Sequence, residues 1–218
     1  MNASPPVPTK RLGVFGGAFD PPHNAHLALA QAAVQQLGLD ALHIIPTGQA
    51  WHKARALSAT EHRLAMARLA FEGLPKVVID ERELERAGPS FTIDTLEALQ
   101  AENPGVQLYL IIGADQFVAF RQWHRWQDIL KLAIICIAGR ANFTPAEGDF
   151  YLQGQAHGKG EGKAKQAVLT LDLPLMPVSA TQIRQLMASG AMTAVEIAHL
   201  VPEPVARYIS RHRLYSPR

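Results

Sequence analysis

The stretch RLGVFGGAFDPPHNAHLALAQAAVQQL, residues 11–37, reads as strand, glycine turn and helix. Arg11–Phe15 is a short apolar run of the kind buried in a sheet, Gly16-Gly17 ends it, and an apolar-periodic helix runs from about His26 to Leu37. This is the opening of an α/β unit, and the pattern recurs. A strand at Leu42–Pro46 precedes a helix at Ala59–Phe71, announced by Ser58 with Glu61 three residues on, the pattern of a capping box. A third strand at Val77–Asp80 and a helix near Thr92–Ala101 follow, then strands at Gln107–Ile112 and Ala133–Ala138 with Trp-rich chain between them. Five strands alternating with helices predict an α/β fold of the Rossmann-like, doubly wound kind. Its parallel sheet is covered on both faces, and ligands bind at the carboxyl ends of the strands.

Beyond the fifth strand the rhythm breaks. Residues 141–166 are crowded with Gly, Lys and Gln and have no apolar period, which predicts a mobile surface loop. Within it Gly154–Lys163 never meets the spacing of a phosphate-binding glycine loop. The chain then offers a short helix at Ala180–Ala188, stopped by Gly190, and another helical stretch around Val205–Arg211. The expected organisation is a flexible segment over residues 1–10 and one domain over 11–218.

Composition narrows the function classes. At 218 residues, with 48% hydrophobic and 18% charged residues, the chain is suited to a folded enzyme-sized core. A formal charge of +2, with Lys and Arg evenly spread, argues against a nucleic-acid or membrane surface. The N-terminal stretch lacks the apolar core of a signal peptide and no run is long enough to span a bilayer, so a cytoplasmic protein is expected. The single cysteine, Cys136, lies in an apolar run and is expected to be buried filler.

The chemistry concentrates between the first strand and the first helix, in Gly16-Gly17-Ala18-Phe19-Asp20-Pro21-Pro22-His23-Asn24-Ala25-His26. Glycines let backbone approach a ligand, and the following helix points unpaired N–H groups and a positive dipole end at what lies in front, so this is where a nucleotide phosphate would sit. Two imidazoles three residues apart can face one anion. Taken alone, His-x-x-His is equally a surface pair or half a metal site, though no cysteine or carboxylate at ligand spacing supports zinc. A second cluster, Val178-Ser179-Ala180-Thr181-Gln182-Ile183-Arg184, opens a helix after a predicted strand. Ser and Thr there are ordinary N-caps, while an arginine one turn inside suits phosphate oxygens.

Together these segments resemble the signatures of the nucleotidylyltransferase superfamily, G-x-F-D-P-x-H-x-G-H and I-S-S-T-x-I-R. Ala25 stands where the family usually has glycine, and Ala180 replaces the second serine. Between them Ile45-Pro46 with His52-Lys53, Pro89–Thr95, and Gly113-Ala114-Asp115 with Trp123 resemble the bacterial nicotinate mononucleotide adenylyltransferases, so the likeness runs from Arg11 to Arg184. The resemblance implies transfer of the AMP half of ATP to nicotinate mononucleotide, with pyrophosphate released and magnesium accompanying ATP. It implies catalytic roles for His23, His26, Lys53 and Arg184. An ATP site is implied over Gly16, Gly17, Phe19, His23, His26, Gly113, Asp115, Ser179, Thr181 and Arg184. The acceptor site implied is Ala18, Phe19, His52, Lys53, Ser90, Thr92, Trp123 and Arg140, with Trp123 stacked on the pyridine ring. No protein metal ligand is expected. Partners are the two small substrates, without nucleic acid or membrane, in a monomer or homodimer. Rivals are a superfamily member with another acceptor, such as a phosphopantetheine adenylyltransferase or a cytidylyltransferase, and a nucleotide-binding protein without turnover.

Overall fold

The computed structural model describes residues 10–48, 57–139, 168–174, 176–193 and 196–217. The strands are β1 (Arg11–Gly17), β2 (Ala41–Pro46), β3 (Val77–Ile79), β4 (Gln107–Gly113), β5 (Ala133–Gly139) and β6 (Val168–Asp172). They form one sheet in the order β3-β2-β1-β4-β5-β6. Every neighbouring pair is parallel. The helices are α1 (Asn24–Gln36), α2 (Thr60–Phe71), α3 (Arg82–Glu85), α4 (Thr92–Glu102), α5 (Ala114–Val118), α6 (Trp126–Leu132), α7 (Ala180–Ala188) and α8 (Glu203–Arg211).

Parallel strands buried on both faces must be apolar at successive positions, and β4 shows this: Leu108 to Ile112 are all buried. The period of two then sorts the side chains between two cores. Leu12, Val14, Leu108, Leu110, Ile135 and Ile137 join α4 and α6 through Ile93, Leu96, Leu99 and Ile129. On the other face Phe15, Tyr109, Ile111 and Cys136 meet α1, α2, α7 and α8. Cys136 is fully buried and burial pushes its thiol up to about 12, so it is inert filler.

Three expectations need correction. The sheet has six strands rather than five, because Val168–Asp172 pairs with β5 through a register from Ile135↔Val168 to Gly139↔Asp172. The capping box at α2 does not form: the helix starts at Thr60 with Ala59 as its N-cap and no side-chain cap. Ser58 is instead drawn toward the first motif, its N–H donating to Asp20 Oδ2 at 3.2 Å and its carbonyl accepting from Arg63 Nε at 3.1 Å. The third correction concerns the turn after β1. Gly16 and Gly17 remain in the strand, and the left-handed residue is Phe19 (φ 46), followed by a cis Asp20–Pro21 bond. Gly17 contributes room: a Cβ there would lie 2.9 Å from the Phe19 ring. Helix α7 covers the expected residues, and Gly190, at φ +72, lies just beyond it. The predicted loop over 141–166 lies outside the described residues.

Candidate active site

The strand order turns back on itself between β1 and β4, since β2 and β3 lie to one side of β1 and β5 and β6 lie beyond β4. At such a switch point the loops leaving two neighbouring strands part in opposite directions and leave a crevice at the carboxyl ends. A cleft of about 1640 Å³ occupies this place. That exceeds the ~300–1,000 Å³ usual for one small ligand and allows two nucleotides to meet.

Every predicted site residue that falls among the described residues lines this cleft. Gly16, Gly17, Ala18, Phe19, His23 and His26 come from the end of β1 and the start of α1, and Ser90 and Thr92 from the entry to α4. Gly113 and Asp115 come from the end of β4, Trp123 from the chain before α6, and Ser179, Thr181 and Arg184 from the start of α7. His52, Lys53 and Arg140 lie outside the described residues.

The two histidines are stacked, with ring centroids 3.7 Å apart and 23° between planes. His23 is the N-cap of α1, and its N–H donates to His26 Nδ1 at 3.2 Å. That bond fixes the His26 tautomer: Nδ1 accepts, so the ring proton sits on Nε2, which makes neutral His26 a donor. His23 is 7% exposed, and burial pulls its pKa from 6.5 down to about 4. Its Nδ1 finds no hydrogen-bond partner of good geometry among the described residues. His23 is therefore neutral at pH 7 in the free protein, an imidazole N–H donor beside the α1 dipole. Phe19 also lines the cleft. Its ring is buried, edge-on to Phe71 at 5.4 Å and to His26 at 5.2 Å, so it shapes the floor under the histidines.

The second motif reaches the first through Arg184. Its Nη1 donates to the carbonyl of Asp20 at 2.7 Å and its Nη2 to Thr181 Oγ1 at 3.1 Å. Ser179 caps α7, its hydroxyl accepting from the N–H of Gln182 at 3.2 Å. The bland capping role of Ser179 and its place on the cleft thus hold together.

At the other end of the cleft, Ser90 is buried and its hydroxyl donates to the carbonyl of Glu83. That hydroxyl is committed to the fold, which leaves main-chain groups as what the Ser90–Thr92 entry offers a ligand. Thr92 begins α4, and the helix's bonding starts with the Asp94 and Thr95 N–H groups on the carbonyl of Phe91, so the N–H groups of Thr92 and Ile93 precede the ladder. Trp123 is half-buried, its ring 5.5 Å from Phe120. His124 lies over Phe91 at 4.4 Å and also lines the cleft. Asp115 is exposed and sits in the first turn of α5, for which Gly113 is the N-cap.

Several site-building residues escaped the sequence reading. Arg63 is 2% exposed, and its Nη1 donates to the carbonyls of Ala18 at 3.1 Å and Thr47 at 2.7 Å, pinning the loops after β1 and β2. Its signal was legible: it occupies the buried stripe of α2 with Met66, Ala67, Ala70 and Phe71, where a charge needs partners. Glu83, also buried, accepts from Thr95 Oγ1 at 2.9 Å, and its pKa is raised by burial. Asp20, in the first motif, is 1% exposed and bonded on all its oxygens.

Comparison with known proteins agrees with this architecture. Residues 14–186 match the cytidylyltransferase-like family model. A relative from Albidiferax ferrireducens named "probable nicotinate-nucleotide adenylyltransferase" is 52% identical over 206 residues, 94% of this chain and 98% of its own. One of the same name from Methylibium petroleiphilum is 40% identical over 217 residues, covering 100% and 96%. Among solved structures, the Plasmodium falciparum nicotinic acid mononucleotide adenylyltransferase complexed with NaAD shares the fold at a TM-score of 0.73. It is 16% identical, over 94% of this chain and 97% of that one. By the extent of the family match and the identity to these relatives, the chain belongs to the cytidylyltransferase-like family, among the nicotinate-nucleotide adenylyltransferases.

Proposed function

We propose that the cleft transfers the adenylyl group of ATP to nicotinate mononucleotide, yielding nicotinate adenine dinucleotide and pyrophosphate for NAD biosynthesis. The observation that carries this reading is the joining of the two motifs at one switch-point cleft, with Arg184 bonded to the Asp20 carbonyl beside the stacked histidines. The names of the relatives supply the acceptor. The solved relatives with NaAD or APC bound show that this fold accommodates such ligands in those proteins.

The acceptor phosphate is already ionised, so the reaction needs no protein nucleophile. What the chain must do is align two polyanions in line and stabilise charge building on the α-phosphoryl and leaving oxygens. His26 offers Nε2–H, His23 a second imidazole donor, and the N-terminus of α1 a positive dipole end. Arg184 supplies fixed positive charge, with Lys53 assigned the same part by the family resemblance. The ATP side takes in Gly16, Gly17, Gly113, Asp115, Ser179 and Thr181. The acceptor side takes in Ala18, His52, Ser90, Thr92 and Arg140, with Trp123 under the pyridine ring.

Magnesium fits this site as an ion carried by phosphates. Asp20 and Glu83 are engaged by Tyr215, Ser58 and Thr95, Asp115 is a lone exposed carboxylate, and no cluster among the described residues could hold a metal by itself. When bound, magnesium supplies neutralisation of phosphate oxygens, its usual hard-oxygen chemistry. No helix among the described residues is long and apolar enough to cross a membrane. The reading takes residues 11–218 as one cytoplasmic domain acting on small molecules.

The test is product analysis with ATP and magnesium against nicotinate mononucleotide, nicotinamide mononucleotide and phosphopantetheine. Nicotinate adenine dinucleotide with equimolar pyrophosphate is expected. Preferential use of phosphopantetheine would replace the acceptor, and no pyrophosphate with any of the three would remove the activity.

A further inference from the structure

The hydroxyl of Tyr215, close to the C-terminus, donates to Oδ1 of Asp20 at 2.6 Å across 195 residues of sequence. Asp20 is three residues ahead of His23 in the turn between β1 and α1. Its other carboxylate oxygen accepts the N–H of Ser58, and its carbonyl accepts Arg184. One buried residue thus gathers the motif turn, the approach to α2, the α7 arginine and the end of the chain.

Bringing Tyr215 there requires unusual backbone. Arg213 has φ 50 and Tyr215 φ 62, and a bulky aromatic residue seldom adopts a left-handed conformation. The bend is held by the N–H of Leu214 on the carbonyl of Ile209 at 3.1 Å and by packing of Leu214 and Tyr215 on the α2–α8 core. Filling that space would need only an apolar ring. A phenol instead must bury a polar group, and burial with Asp20 beside it pushes the Tyr215 pKa well up, so the hydroxyl stays a donor. Both the strained backbone and the buried hydroxyl are explained if the tail serves the turn it touches.

We infer that Tyr215 is a positioning residue: its hydroxyl, acting through the Asp20 carboxylate, fixes the turn from which His23 and His26 address the phosphates. The inference rests on the proposed adenylyl transfer. Misplacing catalytic groups by a fraction of an ångström lowers turnover without removing substrate contacts, so the effect belongs in kcat.

The experiment compares Tyr215→Phe, Asp20→Asn and their combination by steady-state kinetics and thermal melts, with Tyr208→Phe as control. Tyr208 lies on α8, and its hydroxyl meets His62 Nδ1 at 3.0 Å, away from the motif turn. Tyr215→Phe is expected to lower kcat about tenfold with both KM values within about twofold, while Tyr208→Phe keeps the wild-type kcat. The pair of substitutions is expected to cost no more than Asp20→Asn alone, because both act on one link. Wild-type kcat in Tyr215→Phe, an equal loss in Tyr208→Phe, or strictly multiplicative losses in the double variant would each overturn the inference. A wild-type protein that forms no dinucleotide would instead overturn the reaction on which it rests.

Discussion

Arg184 Nη1 and the main-chain oxygen of Asp20 are 2.7 Å apart, which makes the arginine of the second motif a structural partner of the first. Its guanidinium serves two ends, since Nη2 is held by Thr181 Oγ1. A lysine keeps the charge but cannot span both oxygens from one planar fork.

Arg184→Lys is accordingly expected to lower kcat/KM for ATP by about 10²-fold, on the scale of losing a bidentate, preorganised contact. The apparent affinity for nicotinate mononucleotide should change less than threefold. Unchanged kcat/KM for ATP would remove Arg184 from triphosphate recognition.

His26→Ala removes both an Nε2–H donor and the acceptor of the His23 N–H. The expected result is a fall in kcat of about 10²–10³-fold, the scale of one transition-state donor. Loss of the helix-start bond should cost about 1 kcal/mol of stability. Kinetics beside a denaturant midpoint separate the two effects, and near-normal kcat with a lowered midpoint would leave His26 a cap only.

Trp123 lines the cleft and packs on Phe120, so its ring is shared between site and core. Trp123→Ala should raise the acceptor KM roughly tenfold with the KM for ATP nearly unmoved, since stacking is worth about 0.5–1.5 kcal/mol beyond burial. Being half-buried, it should cost less stability than the ~3–5 kcal/mol of a core tryptophan. A large midpoint drop that harms both substrates alike would assign Trp123 to the core.

The fold was legible where burial on both faces writes itself as continuous apolar runs, as at Gln107–Gly113, and where a helix begins beside a motif, as at Ser179. Val168–Asp172 did not enter the count of strands because it is an edge strand, half-exposed at Val168 and Leu169 and following a polar stretch, so its pattern is weak. His23, His26 and Arg184 were legible because they lie in two short segments whose chemistry is local. Tyr215 was not, since nothing near it in sequence shows that a tail residue returns to Asp20. The state of His23 was hidden for the same reason: its pKa follows from burial by distant elements rather than from its neighbours in sequence.

That burial has a measurable consequence. The folded pKa of His23, about 4, lies below its ordinary 6.5, so between these values the unfolded chain binds a proton that the native protein does not. Stability is fully present above pH 6.5 and falls as pH drops toward 4, by about 3 kcal/mol if the whole shift is realised. Asp80, held down to about 2 despite burial by its bonds to His43 and Arg82, acts in a lower window, from 3.8 toward 2. Denaturant titrations of wild type and His23→Asn should differ in slope between pH 6.5 and 4, and identical slopes would refute a buried neutral His23.

The central claim is direct transfer of the adenylyl group between two substrates held in one cleft. It is tested most directly with ATP made chiral at the α-phosphorus and nicotinate mononucleotide as acceptor, by determining the configuration of that phosphorus in the product. A single in-line displacement predicts nicotinate adenine dinucleotide with inverted configuration and no label on the protein. Retention of configuration, or adenylylated protein isolated after a quench, would contradict the account.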